Sequence, residues 1–201
     1  MMKKGKKIGI YGGTFDPIHI GHLIMAEQAR QAAGLEEVRF VPAPTPPHKQ
    51  GVSASAEDRF AMVERAVEDH PSFRVSRVEM DRSGPSYTAD TVRLLCREEP
   101  DTRFFLIVGA DMVLDLPRWV RIEEILASVE VIGLMRPGVK LDMGRIPDHI
   151  KDRVTWVREG VSMNLSSTWI RERVAAGGSV RYLVPEPVRQ YMEEHRLYET
   201  R

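Results

Sequence analysis

The segment 104–108 reads Phe-Phe-Leu-Ile-Val and limits the fold more than any other part of this sequence. A strand with one face in water alternates apolar and polar residues, whereas this segment is apolar at every position. We therefore predict that residues 103–109 form a strand that helices cover on both faces. Strands of this kind are typical of parallel sheets, in which helices supply the crossover connections.

Segments with the patterns of strands and of helices alternate along the chain. Short apolar runs predict strands at 8–11, 38–41, 73–80, 103–109, 129–135 and 154–157. Apolar residues at three- and four-residue spacing predict helices at 19–33, 56–70, 88–97, 167–176 and 187–196. This alternation predicts an α/β fold with a Rossmann-like, doubly wound parallel sheet and helices on both faces. Ligands of such sheets bind beyond the carboxyl ends of the strands.

Length and charge narrow the class of protein. The 201 residues contain no low-complexity linker, so we predict one domain over residues 1–201. Lys plus Arg and Asp plus Glu both number 29, and this zero net charge argues against a nucleic-acid partner. No apolar run approaches the roughly 20 residues of a membrane span. The one cysteine, Cys96, lies beside leucines, so we expect a cytoplasmic protein without a disulfide or a catalytic thiol.

The loop after the first predicted strand has the features of a phosphate site. Gly12 and Gly13 let the backbone approach a ligand without an intervening Cβ. Asp16 and Pro17 are typical of a helix start, and the free amides of a helix start attract anions. The helix begins either at Pro17 or nearer His19. The dinucleotide fingerprint and the phosphate loop that ends in Gly-Lys-Ser/Thr are both absent from the chain.

Two histidines lie in the first turn of that predicted helix. His19 and His22 are three residues apart, so their rings face one side, where both could donate hydrogen bonds to phosphoryl oxygens. Gly21 removes a side chain where the ligand comes close. A metal site is the rival interpretation of the pair, but no third ligand stands at zinc-like spacing, so we predict no metal held by the protein itself.

Residues 12–22 read Gly-Gly-Thr-Phe-Asp-Pro-Ile-His-Ile-Gly-His, which resembles the signature of the His-x-Gly-His nucleotidylyltransferase superfamily. Enzymes of that superfamily transfer a nucleotidyl group from a nucleoside triphosphate and release pyrophosphate. The longer form resembles the bacterial-type nicotinate-nucleotide adenylyltransferases in particular, and the resemblance runs from Ile8 to Tyr198. It implies adenylyl transfer from ATP, with Mg²⁺, to nicotinate mononucleotide, which yields deamido-NAD in NAD biosynthesis.

The resemblance also assigns roles within this stretch. It implies that His19 and His22 are catalytic. The ATP-binding residues that it implies here are Gly12, Gly13, Thr14, Phe15, His19, Gly21 and His22. For the ring of Phe15 we expect packing against the core or the loop.

Residues 165–171 read Leu-Ser-Ser-Thr-Trp-Ile-Arg and predict a second helix start with hydroxyl groups and a guanidinium. Such an arrangement suits polyphosphate, although a plain helix cap followed by a surface arginine has the same pattern. The segment resembles the Ile-Ser-Ser-Thr-x-Ile-Arg motif of the family. The resemblance implies that Ser167, Thr168 and Arg171 bind the triphosphate of ATP, with Arg171 as a catalytic residue.

Two further segments carry candidate residues for phosphate and acceptor. On the residues alone, Lys49 in its proline-rich loop is an ordinary solvated lysine, and Ser86 or Thr88 is an ordinary helix cap. The resemblance implies that Lys49 is catalytic and helps to hold phosphates. It also implies that Tyr87 and Thr88 contact nicotinate mononucleotide.

The end of the most apolar strand supplies another group of candidates. Asp111 follows Gly109, where its carboxylate could accept hydrogen bonds from ribose hydroxyls, and the resemblance assigns both residues to nucleotide binding. Trp119 is either a core residue or, as the resemblance implies, a flat surface on which the pyridine stacks. Arg136, after the next predicted strand, is a weaker substrate-binding candidate of the same kind.

Other functions remain open on the sequence. A sibling enzyme could use 4′-phosphopantetheine as acceptor or transfer a cytidylyl group, although Tyr87, Thr88, Trp119 and the Ser-Ser-Thr-x-Ile-Arg form argue against it. The sequence leaves open the choice between nicotinate and nicotinamide mononucleotide as acceptor. A non-catalytic nucleotide sensor on the same fold is disfavoured because both histidines and the basic residues are present. The sequence leaves the oligomeric state open, a homo-oligomer included.

Overall fold

The computed structural model describes residues 5–44, 53–82, 84, 86–135, 142–158, 160–161 and 163–200. The strands in these ranges are β1 (Lys7–Gly13), β2 (Glu37–Pro42), β3 (Phe73–Val75), β4 (Arg103–Gly109), β5 (Glu130–Leu134) and β6 (Val154–Val157). The helices are α1 (Ile20–Ala33), α2 (Ala56–Val67), α3 (Thr88–Glu98), α4 (Ala110–Asp115), α5 (Ile122–Ser128), α6 (Asp148–Lys151), α7 (Ser167–Ala175) and α8 (Glu186–Glu194). Two 3₁₀ turns, Leu116–Arg118 and Met143–Arg145, complete the regular structure of the described chain.

The strands form one sheet in the order β3-β2-β1-β4-β5-β6. Every neighbouring pair is parallel, which confirms the predicted doubly wound sheet. The order reverses between β1 and β4, and such a reversal opens a crevice at the carboxyl ends of the two strands. Helices α1, α3 and α4 begin at this edge, because a helix that crosses over between parallel strands runs antiparallel to them. Helix α7 follows β6, and its first residue contacts the Pro17 carbonyl at the same edge.

Two apolar cores lie on opposite faces of the sheet. Phe105 and Ile107 of β4 pack with α1, α2, α7 and α8. Phe104, Leu106 and Val108 pack with α3, α4, α5 and α6. All five side chains are buried, which confirms the prediction that helices cover this strand on both faces.

The predicted strand 73–80 is wrong beyond Val75. The chain turns after that residue and buries the carboxyl group of Glu79, which accepts a hydrogen bond from the Thr91 hydroxyl of α3 at 2.6 Å. A tertiary contact of one polar side chain therefore overrides the apolar spacing that predicted a longer strand.

Short helices account for most of the other differences between the predicted and the observed elements. The sequence did not predict α4, α5 and α6, which have 6, 7 and 4 residues and are too short to show a helical period. Helix α2 ends at Val67 rather than at residue 70. Among the described residues, no helix is both long and apolar enough to cross a membrane.

Candidate active site

The two glycines that end β1 have different structural roles. A Cβ at Gly12 would meet no atom within 4 Å, so this backbone is open to a ligand. A Cβ at Gly13 would lie 2.8 Å from the ring of Phe15, so this glycine makes room for the phenylalanine. Phe15 itself is buried and has a φ of 49°, the left-handed region that a non-glycine residue rarely adopts. The predicted packing of the Phe15 ring is confirmed.

Helix α1 begins at Ile20, and His19 is its N-cap residue in extended backbone. The start near His19 is therefore the correct one of the two predicted alternatives. Asp16 does not cap the helix, because α1 begins four residues further along. Its buried carboxylate instead accepts hydrogen bonds from the amides of Ser53 and Ala54, at 2.9 and 3.2 Å.

The two histidines of the motif contact each other directly. The His19 amide donates to Nδ1 of His22 at 3.2 Å, and the two rings stack with their centroids 3.7 Å apart. Because Nδ1 of His22 accepts this hydrogen bond, the neutral ring carries its proton on Nε2. The ring of Phe15 packs edge-on against His22 at 5.2 Å between centroids. The turn thus fixes the tautomer and the orientation of His22.

The start of α7 lies directly on this loop. Ser166 caps the helix by accepting from the Trp169 amide, while the Ser167 hydroxyl donates to the Pro17 carbonyl at 2.9 Å. Nη1 of Arg171 donates to the Asp16 carbonyl at 2.8 Å. Its Nη2 lies 3.3 Å from the Thr168 hydroxyl. The structure therefore joins the two segments that the sequence predicts to bind phosphate, although they are about 150 residues apart.

A cleft opens between α1 and the carboxyl ends of β5 and β6. His19 and Gly21 line one side, and Gln28 donates across the rim to the Val161 carbonyl at 3.1 Å. The other lining side chains are apolar and belong to Ile24, Met25, Leu134, Met135, Val157, Val161, Met163 and Leu165. Sequence reasoning missed this lining, because apolar residues near strand ends look like ordinary core residues.

The predicted acceptor residues lie at two neighbouring helix starts. Tyr87 is the N-cap residue of α3 but makes no side-chain cap, so the predicted cap by Ser86 or Thr88 is wrong. Tyr87 and Thr88 are half-buried. Trp119 is also half-buried and packs against the core below α3 and α5. This position suits both the core and the stacking interpretation of Trp119, because one edge of the side chain stays accessible.

The remaining predicted residues lie apart from these contacts or outside the described chain. Asp111 is exposed in the first turn of α4, and a Cβ at Gly109 would lie 2.6 Å from its Oδ1. Glycine at 109 therefore lets the Asp111 carboxylate fold back over the end of β4. Lys49 and Arg136 fall outside the described residues. Burial raises the pKa of the Cys96 thiol, as expected for a packing residue rather than a nucleophile.

Comparison with known proteins identifies the family. A family model described as cytidylyltransferase-like matches residues 10–173. A Halalkalibacterium halodurans protein named "Probable nicotinate-nucleotide adenylyltransferase" is 48% identical over 97% of this chain and 92% of that protein. The "Nicotinate-nucleotide adenylyltransferase" of Bacillus subtilis is 43% identical over 97% of this chain and 100% of that protein. The chain belongs to the nicotinate-nucleotide adenylyltransferases of the cytidylyltransferase-like family.

Solved structures share the fold of this nicotinate-nucleotide adenylyltransferase. The Plasmodium falciparum nicotinic acid mononucleotide adenylyltransferase complexed with NaAD is 18% identical, with a TM-score of 0.80. The same enzyme complexed with APC gives a TM-score of 0.77. Both matches cover 96% of this chain and 97% of the Plasmodium falciparum chain. The family predicted from residues 12–22 is thus confirmed, and the roles of individual residues stay predictions.

Proposed function

We propose that this protein transfers the adenylyl group of ATP to nicotinate mononucleotide, which gives deamido-NAD and pyrophosphate in NAD biosynthesis. The observation that carries the proposal is the junction at which Ser167 and Arg171 donate to carbonyls of the histidine loop. Two helix N-termini with histidines, hydroxyl groups and a guanidinium meet there, and such an arrangement suits a polyphosphate. Curated relatives at 43–48% identity carry the same enzyme name over nearly the full length.

The adenine of the donor nucleotide would lie at the cleft beside this junction. The side chains that line the cleft are mostly apolar, which suits an adenine base, and His19 and Gly21 on its wall belong to the histidine motif. The triphosphate would then pass the open backbone of Gly12 and reach Ser167, Thr168 and Arg171. Gly109 and Asp111, at the end of the neighbouring strand, would face the ribose hydroxyls.

The reaction is an in-line displacement at the α-phosphorus. An oxygen of the acceptor's 5′-phosphate forms the new bond to this phosphorus while the bond to the bridging oxygen of the β-phosphate breaks, and pyrophosphate leaves with that electron pair. A phosphate monoester is already ionised near neutral pH, so the step needs no general base. The protein contributes position and charge. His19 and the Nε2–H of His22 would steady the α-phosphate, and Arg171 would hold the leaving pyrophosphate.

Mg²⁺ enters this proposal together with ATP. Among the described residues there is no group of three His, Cys, Asp or Glu side chains that could hold a metal ion. Phosphate oxygens and water would therefore supply most of the ligands of Mg²⁺, as is usual for this ion.

The acceptor would lie on the other side of the loop, toward α3 and α5. Tyr87 and Thr88 at the start of α3 would contact nicotinate mononucleotide, and Trp119 would stack on its pyridine ring. Lys49 and Arg136 complete the proposed set as phosphate and substrate contacts.

One competition assay tests the proposal. Purified protein is given ATP and Mg²⁺ with nicotinate mononucleotide, nicotinamide mononucleotide and 4′-phosphopantetheine, singly and in mixtures, and pyrophosphate release is followed. We expect nicotinate mononucleotide to give the highest kcat/KM. A preference for another acceptor would identify a sibling enzyme, and ATP binding without turnover on any acceptor would identify a sensor.

A further inference from the structure

We propose that Tyr198 is a positioning residue for adenylyl transfer, which acts through the buried carboxylate of Asp16 on the triphosphate residues Ser167 and Arg171. The inference rests on the proposed function, because it concerns the same site. It adds the segment after α8 to the residues that position the triphosphate of ATP.

The carboxylate of Asp16 is the centre of the arrangement. Its side chain is only 5% exposed and accepts hydrogen bonds from the amides of Ser53 and Ala54 and from the Tyr198 hydroxyl, the last at 2.8 Å. A buried carboxylate needs several donors to offset its lost hydration. The two amides belong to adjacent residues in the segment before α2. The Tyr198 phenol is a third donor, and it comes from the segment after α8.

The main chain next to this carboxylate carries the triphosphate residues. Nη1 of Arg171 donates to the Asp16 carbonyl at 2.8 Å, and the Ser167 hydroxyl donates to the Pro17 carbonyl at 2.9 Å. Consecutive carbonyls thus orient two side chains that we assign to the triphosphate. Nη1 of Arg171 also lies 3.8 Å from Oδ2 of Asp16, so we expect a shift of this carboxylate to displace the guanidinium.

The backbone and the protonation state of Tyr198 agree with such a role. The residue has a φ of 67°, in the left-handed region that non-glycine residues rarely adopt. The segment after α8 therefore adopts an unfavourable backbone conformation at the residue whose hydroxyl contacts Asp16. Burial and the adjacent Asp16 raise the pKa of the Tyr198 phenol, so it remains a hydrogen-bond donor throughout the neutral pH range.

A double-mutant cycle tests the proposal on the full-length enzyme. Tyr198→Phe removes one hydroxyl, and we expect it to lower kcat/KM for ATP about tenfold while KM for nicotinate mononucleotide stays unchanged. In an Arg171→Ala background the same change should have a smaller effect, because one of the two ligands that Tyr198 positions is gone. Non-additivity of this kind distinguishes positioning from a general loss of stability.

Tyr191→Phe is the matched control. Its hydroxyl also donates to a carboxylate, that of Asp58, at 2.9 Å, and the other oxygen of this carboxylate accepts from the Ser55 hydroxyl at the start of α2. We expect the control to keep the wild-type kcat/KM for ATP. All assays are run well below the melting temperature of each variant, which is measured first.

Two results would overturn the proposal. One is a Tyr198→Phe enzyme with wild-type kinetics, and the other is a loss that persists in full without Arg171. Absence of turnover in the wild type would refute the proposed function instead. In that case calorimetric binding of a non-hydrolysable ATP analogue still decides the matter, because Tyr198→Phe should weaken it and Tyr191→Phe should not.

Discussion

Nη2 of Arg121 lies 2.7 Å from Oδ1 of Asp90, and this ion pair joins the start of α3 to the start of α5. The hydrogen bond from Arg121 lowers the pKa of Asp90, so the carboxylate is charged at neutral pH. Tyr87 stands three residues before Asp90, and Trp119 stands two residues before Arg121. The pair therefore connects the two segments that carry the aromatic side chains assigned to the acceptor.

Asp90→Asn should accordingly weaken binding of the acceptor and spare ATP. We expect KM for nicotinate mononucleotide to rise about fivefold to tenfold and KM for ATP to stay unchanged, because the pair supports only one side of the site. Steady-state kinetics with each substrate varied in turn measures the effect. Asp148→Asn, which removes a carboxylate from the exposed pair with Lys151 on α6, is the control and should change neither constant. Equal increases in both KM values would contradict the assignment.

His22→Ala should reduce the rate far more than the affinity. Its Nε2–H is assigned to charge that develops on the α-phosphate, and loss of one such donor typically lowers kcat about 10²- to 10³-fold. Pyrophosphate release at saturating substrates measures this effect. His149→Ala removes an exposed histidine that pairs with Glu123 of α5, and it should keep normal activity. Near-normal turnover of pure His22→Ala protein would refute the role of the histidine.

Glu79 gives a stability prediction that depends on pH. Burial raises the pKa of this carboxyl group, and the Thr91 hydroxyl that donates to it opposes the shift only in part. A carboxyl with a raised pKa binds its proton more tightly in the folded state, so its contribution to stability is lost as the pH rises through the folded value. Glu79→Gln keeps the shape and the acceptor without the charge. We expect its melting temperature to exceed that of the wild type at pH 8, with a smaller difference at pH 5.

Thermal unfolding of both proteins across this pH range checks the sign. Glu64→Gln, on the exposed face of α2, is the control and should shift the melting temperature little at either pH. If the gap between Glu79→Gln and wild type widened on acidification, the carboxyl would be stabilised in its charged form and the argument would be wrong.

Periodicity and motif spacing predicted the parts of this protein that depend on local sequence. The fully apolar segment 104–108 predicted a doubly covered strand. The Gly-Gly loop with its histidines predicted the family and a helix start at either Pro17 or a residue nearer His19. Glu79 shows the limit of such prediction, since the residues around it do not reveal that its carboxyl group is buried and accepts a hydrogen bond from Thr91. The same holds for the cleft, whose lining comes from segments as far apart as Ile24 and Leu165.

Asp16 and Arg59 both have partners that the neighbouring sequence does not reveal. Asp16 next to a proline is typical of a helix cap, yet its partners come from the segment before α2 and from Tyr198. Arg59 looks like the solvated arginine of an amphipathic helix, but its side chain is 1% exposed. Both residues obtain their partners only when the β1 loop, the β2 loop and α2 are folded together.

The contacts of Arg59 yield a last prediction, about stability rather than rate. Its guanidinium donates to the carbonyls of Thr14, Ala43 and Pro44 at 2.7, 2.6 and 2.8 Å, and so joins the histidine loop to the loop after β2. Lys at this position keeps the charge but cannot reach three carbonyls in a fixed plane. Since each buried carbonyl left without a donor costs about 1–3 kcal/mol, we expect Arg59→Lys to lower the free energy of unfolding by about 3 kcal/mol.

Urea unfolding measures this loss, and the same substitution on the same helix provides the comparison. Arg65 of α2 donates to the Ala61 carbonyl within the helix and lies over the Tyr191 ring at 4.3 Å, where a lysine can replace most of its contact. Arg65→Lys should therefore cost less than about 1 kcal/mol. Similar losses for the two variants would show that Arg59 contributes only a buried charge. A larger loss at Arg59 would show that its planar set of donors holds the two loops together.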